Sequence, residues 1–206
     1  VYKRQAFMSH AQADASGTVG TLFLEYEKLG LHNWIDMKQA LLTLEGMRQG
    51  VHDSQVFLLV LSENVLGSWF CQQELRCAIT LGKPIQLVVE SDDRFNPFNF
   101  DAWNAFNTAM DQSSDIETID EDDGHHVDIC RVPDSPFDKL PVVCRNAVND
   151  NLPNAVTYRR RNFEVESMMR ELCARNGVAL PAPAELRTDG GHSSAQLQRV
   201  GHNCIN

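Results

Sequence analysis

The chain has 206 residues, of which 43% are hydrophobic and 22% are charged, and its formal net charge at pH 7 is -10. This composition is typical of a globular domain that builds its core without metals or disulfides. The negative charge argues against a protein that binds nucleic-acid phosphates. No apolar run reaches the roughly 18 residues of a membrane-spanning helix, so we expect no membrane contact within this segment.

The six cysteines form no CxxC pair, and the chain starts with neither an initiator methionine nor a signal peptide. We therefore expect a fragment of a longer cytoplasmic protein, whose targeting segments could lie outside it. In that compartment reduced and buried thiols are the favoured interpretation, with disulfides as the alternative.

Apolar runs and helical stripes alternate along the first 90 residues. The run of six apolar residues at 56–61 is typical of a central strand that is buried on both faces. The full pattern predicts strands over residues 5–9, 31–36, 56–61 and 85–89, a loop or first helical turn over residues 10–17, and helices over residues 18–29, 45–53 and 68–81.

The second half of the chain is less regular. It predicts a fifth strand over residues 155–158 and helices over residues 101–110, 140–148 and 162–176. Residues 111–123 contain seven acids and no base, so we expect an exposed, mobile insertion over about residues 111–138. The composition of residues 181–206 is typical of a flexible linker or tail, which would end a single domain near residue 180.

Alternating strands and helices of this kind predict an α/β fold with an open, parallel, five-stranded sheet and helices on both faces. This is a flavodoxin-like arrangement in three α-β-α layers. Ligands in such sheets bind at the carboxyl ends of the strands. Four polar residues at predicted strand ends should therefore share one rim: Ser9, Asp36, Ser62 and Glu90.

Three motifs resemble the TIR (Toll/interleukin-1 receptor/resistance) domain family. Phe7-Met8-Ser9-His10 is similar to the family's first strand, and Trp34-Ile35-Asp36 is similar to its second strand and the start of its BB loop. In the third motif a strand ends at Ser62, and Glu74 follows twelve residues later within Cys-x-x-Glu-Leu. The resemblance is clear over about residues 5–90 and weaker over residues 158–175.

Many TIR domains cleave NAD+ at the nicotinamide–ribose bond with a Glu at the position of Glu74, whereas others only assemble with partner TIR domains. The resemblance therefore implies NAD+ as a substrate, with no bound cofactor, and ADP-ribose or a cyclic isomer as the product. It also implies activity on self-association and a role in innate-immune signalling. Around the catalytic Glu74, it implies a substrate pocket formed by Ser9, His10, Trp34, Asp36, Ser62, Trp69 and Phe70.

Two departures from the family pattern bear on this function. NAD-cleaving members usually carry Trp four residues before the Glu, where this chain has Phe70. Phenylalanine can still wall a pocket, but it lacks the indole N–H donor. The segment 36–43 lacks the Arg-Asp and Pro-Gly pairs of animal receptor TIR domains, which argues against an adaptor role of that kind.

Each candidate residue also has a simpler structural interpretation. Glu74 would be an ordinary helix charge, Ser62 a helix cap and His10 a solvated loop residue. Trp34, Trp69 and Cys71 would serve packing, and no His or Asp near Cys71 in sequence supports a nucleophile.

Other site classes find little support in the sequence. His125-His126 lacks a zinc-ligand motif, so we expect no metal site. Arg159-Arg160-Arg161 could bind phosphate, anchor a helix start or pair with the acidic insertion. No GxGxxG or Walker pattern occurs, which argues against Rossmann and P-loop enzymes. A flavin-binding or receiver-like domain remains a third alternative, although the paired acids of a receiver are missing after the first strand.

Overall fold

A parallel sheet of four strands forms the centre of the computed structural model, which describes residues 4–35, 43–113, 115–121 and 125–178. In chain order the elements are β1 (Arg4–Ser9), α1 (Gln12–Lys28), α2 (Leu44–Asp53), β2 (Ser54–Leu61), α3 (Trp69–Thr80), β3 (Ile85–Val89), α4 (Phe100–Ser113), β4 (Ile116–Asp120), β5 (His126–Cys130), α5 (Val142–Asn151), β6 (Val156–Thr157) and α6 (Asn162–Arg175).

The strand order in the sheet is β1-β2-β3-β6, and every neighbouring pair is parallel. The α/β class with a parallel sheet is therefore confirmed. Seven of the eight residues of β2 are buried, as predicted for a central strand that is covered on both faces.

The predicted strand over residues 31–36 is represented by one parallel bridge between Trp34 and Phe7 at the outer edge of β1. The Trp34 N–H donates to the Ala6 carbonyl at 2.8 Å, and the Met8 N–H donates to the Trp34 carbonyl at 3.0 Å. One residue earlier, the side-chain oxygen of Asn33 accepts a hydrogen bond from the Ala6 N–H at 3.2 Å. The Gln5 N–H donates to the His32 carbonyl at 2.6 Å, so the pairing of this segment with β1 is irregular. The sheet of the described residues has four strands, and the predicted count of five is not confirmed.

Alternate side chains of the strands build two separate cores, one on each face of the sheet. On one face, Phe7, Phe57, Leu59 and Leu87 pack with residues of α2, α3, α4 and α5. On the other face, Met8, Leu58, Val60 and Val88 pack with residues of α1 and α6. This gives three layers, and none of the described helices is long and apolar enough to span a bilayer.

The acidic segment differs from the prediction. Residues 111–113 complete α4, and β4 and β5 form an antiparallel hairpin where we expected a mobile loop. Val127 and Ile129 of β5 are buried, while the polar residues pair across the strands. Thr118 Oγ1 donates to Asp128 Oδ1 at 2.7 Å, and Arg131 Nη1 lies 2.7 Å from Glu117 Oε2. The Arg131–Glu117 ion pair compensates part of the negative charge that suggested disorder.

The cysteines in the described part of the chain carry free thiols, as expected for reduced residues. Burial raises the pKa of Cys144 to about 12 and that of Cys173 to about 11. Both thiols therefore stay protonated at neutral pH, where thiols are poor nucleophiles.

The close contact between α2 and the bridge residue Trp34 generates a test of the packing. A Cβ atom added at Gly50 would lie 2.7 Å from Trp34 Cε2, whose ring stacks on Phe7 with centroids 4.2 Å apart. We expect Gly50→Ala to lower the free energy of unfolding by about 1–3 kcal/mol in urea denaturation, because the helix and the ring must separate.

Gly20→Ala in α1 is the matched control, because no heavy atom lies within 4 Å of the added Cβ. It should leave stability unchanged or raise it by up to about 1 kcal/mol, since alanine favours helices. Equal stability of the two variants would contradict the packing described for Trp34.

Candidate active site

A hydrogen bond between Ser9 and Glu74 joins the carboxyl end of β1 to helix α3. Ser9 is the last residue of β1 and is 1% exposed, and Glu74 is 6% exposed. Ser9 Oγ donates to Glu74 Oε2 at 2.5 Å. Hydrogen bonds from hydroxyl to carboxylate at this distance are strong and hold both groups in one orientation.

Helical geometry explains why Glu74 points inward. Ser68 caps α3, because its hydroxyl accepts a hydrogen bond from the Cys71 N–H at 3.4 Å. From this start, the buried positions recur at intervals of three and four residues: Cys71, Glu74, Leu75 and Ala78. Glu74 therefore shares the buried face of the helix with apolar residues.

The Ser9–Glu74 contact lies at the carboxyl end of β1, where the direction of successive connections in the sheet reverses. The first connection runs through α1 to the Trp34 bridge at the outer edge of β1, and the next runs through α2 to β2 on the inner side. Open α/β sheets bind ligands in the crevice at such a reversal, next to the carboxyl ends of the strands. Glu74 therefore lies next to the crevice in which open α/β sheets bind ligands.

A second contact ties α3 to the segment that follows β1. Cys71 Sγ lies 3.3 Å from the His10 carbonyl oxygen, one helical turn before Glu74. Both Cys71 and His10 are buried. The structure thus brings together three of the predicted site residues, Ser9, His10 and Glu74, with Cys71 as a packing residue beside them.

Ser62, which follows β2, belongs to a second group of hydrogen-bonded residues around the Asp14 carboxylate. Its hydroxyl donates to Asp14 Oδ2 at 3.4 Å. Asp14 also accepts from Asn64 N at 2.8 Å and from Asn96 Nδ2 at 3.4 Å. Asp14 was missed in the sequence, where its one signal is an acid in the first turn of a helix.

The aromatic candidates occupy different surroundings. Trp34 is 3% exposed and belongs to the core beneath the site. Trp69 and Phe70, at the start of α3, are 51% and 41% exposed and make an edge-to-face contact with centroids 5.1 Å apart. Asp36 lies outside the described residues.

A buried ion pair occupies the rim at the end of β3. Glu90, which is almost fully buried, is paired with Arg160, and it accepts a hydrogen bond from Thr18 Oγ1 at 2.9 Å. The Arg160 guanidinium lies over the Phe95 ring at 3.6 Å. Arg160 therefore binds Glu90 within the domain, and it has no ion-pair partner among the described residues of the acidic segment.

The segment after β3 carries a second acid that is held in its ionised form. Hydrogen bonds from the side chain and backbone of Arg94, together with its charge and that of Arg160, lower the pKa of Asp92 well below its usual range. Asp92 stays ionised under physiological conditions and lies 3.7 Å from Arg160 Nε. Arg160 thus faces two carboxylates, which leaves it poorly suited to bind phosphate.

Removal of Arg160 would leave Glu90 buried without its cation. We expect Arg160→Met to lower the free energy of unfolding by about 3 kcal/mol, because an unpaired buried charge is strongly unfavourable. Arg170→Met is the control, since Arg170 pairs with Glu166 on the surface of α6. The Arg170→Met change should lower the free energy of unfolding by less than about 0.5 kcal/mol. Equal losses in the free energy of unfolding for the two variants, measured by urea denaturation, would contradict a stabilising role for the Arg160–Glu90 pair.

These features define an α/β open-sheet protein with a buried carboxylate at the carboxyl edge of its central strands. The family profile described as TIR domain matches residues 7–123, which is more than half of the chain. The chain therefore belongs to the TIR domain family, as its motifs suggested.

Comparison with solved structures also returns TIR domains. The chain is similar to the TIR domain of the Toll-related receptor TRR-2 from Hydra magnipapillata, with 17% identity, a TM-score of 0.37 and coverage of 43% of this chain and 70% of that chain. It is also similar to the TIR domains of the activated Roq1 resistosome, which directly recognises the pathogen effector XopQ. That match has 16% identity, a TM-score of 0.42 and coverage of 91% of each chain. No curated protein sequence matches this chain.

Proposed function

We propose that this TIR domain cleaves NAD+ between nicotinamide and ribose, with Glu74 as the catalytic carboxylate. The observation that carries the proposal is the 2.5 Å hydrogen bond from Ser9, which holds the Glu74 carboxylate at the carboxyl end of β1. Family membership over residues 7–123, which include Glu74, supports the same assignment.

The proposed reaction breaks the bond between ribose C1′ and the nicotinamide nitrogen, and the electron pair leaves with neutral nicotinamide. A water oxygen adds to C1′ and loses a proton, which gives ADP-ribose, whereas attack from within the same molecule gives a cyclic isomer. Positive charge develops at the ribosyl carbon in the transition state. A carboxylate held beside that carbon stabilises the charge, as in other glycoside-cleaving sites.

The remaining pocket residues are assigned from their positions. Ser9 orients Glu74, and His10 and Ser62 lie at the ends of the neighbouring strands β1 and β2. Phe70 lies one helical turn before Glu74 and would wall the pocket, with Trp34 supporting the site from the core. Asp36 is assigned to the same pocket from its sequence position alone.

We also propose that the domain is active after it self-associates. TIR catalysis in the family depends on contacts between copies, so we expect this domain to act in the cytoplasm as an oligomer that signals in immunity. The rate of NAD+ loss per molecule should then rise with protein concentration, because assembly is a mass-action equilibrium.

A non-enzymatic assembly module is the second candidate function. Glu74 is almost fully covered, while Trp69 and Phe70 present exposed aromatic surface on the same helix. Exposed aromatic clusters are typical of protein interfaces. Such a module would self-associate without consuming NAD+.

Glu74→Gln tests the catalytic assignment with almost no change in shape. We expect the variant to lose roughly 100-fold or more of its NAD+ turnover, because an amide lacks the negative charge that stabilises the ribosyl cation. The measurement is nicotinamide release by chromatography across a protein concentration series.

Glu166→Gln is the matched control, since Glu166 is an exposed carboxylate on α6. It should retain wild-type turnover. Full activity of the Glu74→Gln variant would refute the catalytic role, and self-association of the wild-type protein without nicotinamide release would establish the assembly module instead.

A further inference from the structure

Helix α3 has a second, outward face opposite the one that carries Glu74. Trp69, Gln73 and Arg76 follow the outward face of the helix and line a groove of about 740 Å³. The other walls are α2 and the β4–β5 hairpin. The exposed Trp69 ring and the buried Glu74 carboxylate therefore belong to different sites.

The charges in this groove are unevenly compensated. Arg76 Nη1 lies 2.6 Å from Glu121 Oε1, so its charge is neutralised. Arg48 and Lys139 also line the groove and are exposed. Among the residues that the structure describes, neither side chain has a hydrogen bond or ion-pair partner. The lining also includes Asp120 and Asp138, of which Asp120 contacts His126 and Asp138 lies 3.6 Å from Arg131 Nε. Because these acids have partners of their own, Arg48 and Lys139 are the cations that the groove offers to an anion.

The groove also offers a flat aromatic surface and room for a small molecule. Half of the Trp69 surface is exposed, and Ile119 and Val127 of the hairpin add apolar lining. Its volume lies within the range of small-molecule sites. A cavity of about 570 Å³ shares Arg48, Gln73, Arg76 and Glu121 with the groove and extends it along α2.

We propose that this groove, which we call the hairpin groove, binds a nucleotide through its base and its phosphate. The base stacks on Trp69, as bases do on exposed aromatic side chains. The phosphate is bound by the Arg48 guanidinium and the Lys139 ammonium, which are the usual cationic partners of phosphate. This site requires the hairpin and is independent of any reaction at Glu74.

The experiment is titration calorimetry with AMP as the probe, and with adenosine and inorganic phosphate as partial probes. AMP should bind more tightly than either fragment, because only AMP engages both the ring and the cations. Trp69→Leu, Arg48→Gln and Lys139→Gln should each raise the Kd for AMP by about tenfold, the scale of losing one stacking or charged contact.

Lys28→Gln is the matched control, since Lys28 is an exposed cation on α1, outside the groove. It should leave the Kd for AMP unchanged, and melting temperatures should verify that every variant is folded. Glu74→Gln separates the two sites and should also leave AMP binding unchanged.

Two results would overturn the hairpin groove as a nucleotide site. One is a wild-type protein that does not bind AMP at millimolar concentration. The other is a Kd for AMP that depends on Glu74 or Ser9 and is insensitive to Trp69, Arg48 and Lys139, which would assign the binding to the crevice at β1.

Discussion

The hydrogen bond from Ser9 to Glu74 fixes the orientation of the carboxylate on which the proposed function depends. It links the carboxyl end of β1 to the buried face of α3, and both groups are almost fully shielded from water. A carboxylate in such surroundings interacts with a neighbouring charge more strongly than it would in solvent. The fold therefore supplies an oriented carboxylate at the reversal of the sheet, which the proposed reaction needs to stabilise a ribosyl cation.

The two faces of helix α3 contact different parts of the domain, the sheet on one side and the β4–β5 hairpin on the other. Positions such as Cys71 and Glu74 face the sheet, whereas Trp69 and Arg76 face the β4–β5 hairpin. One helix can thus position the proposed catalytic carboxylate and wall a second groove, and a substitution on one face need not disturb the other. The Arg76–Glu121 ion pair holds the hairpin against the outward face.

Local patterns in the sequence predicted the features that depend on neighbouring residues. The continuous apolar run at 56–61 predicted the buried strand β2, the pattern over 68–81 predicted helix α3, and family spacing pointed to Glu74. The hairpin was missed because its acids are compensated by partners such as Arg131 and Arg76. The Ser62–Asp14 contact spans 48 residues, and no local pattern indicates a pairing at that separation.

A crystal structure of the Glu74→Gln protein with bound NAD+ would show whether the substrate reaches residue 74. We expect the nicotinamide ribose to lie in the crevice at the end of β1, with its hydroxyls or C1′ within about 3–3.5 Å of the residue 74 side chain. Ser9 should remain in contact with that side chain. NAD+ bound away from this crevice, with the nicotinamide ribose out of reach of residue 74, would contradict the account.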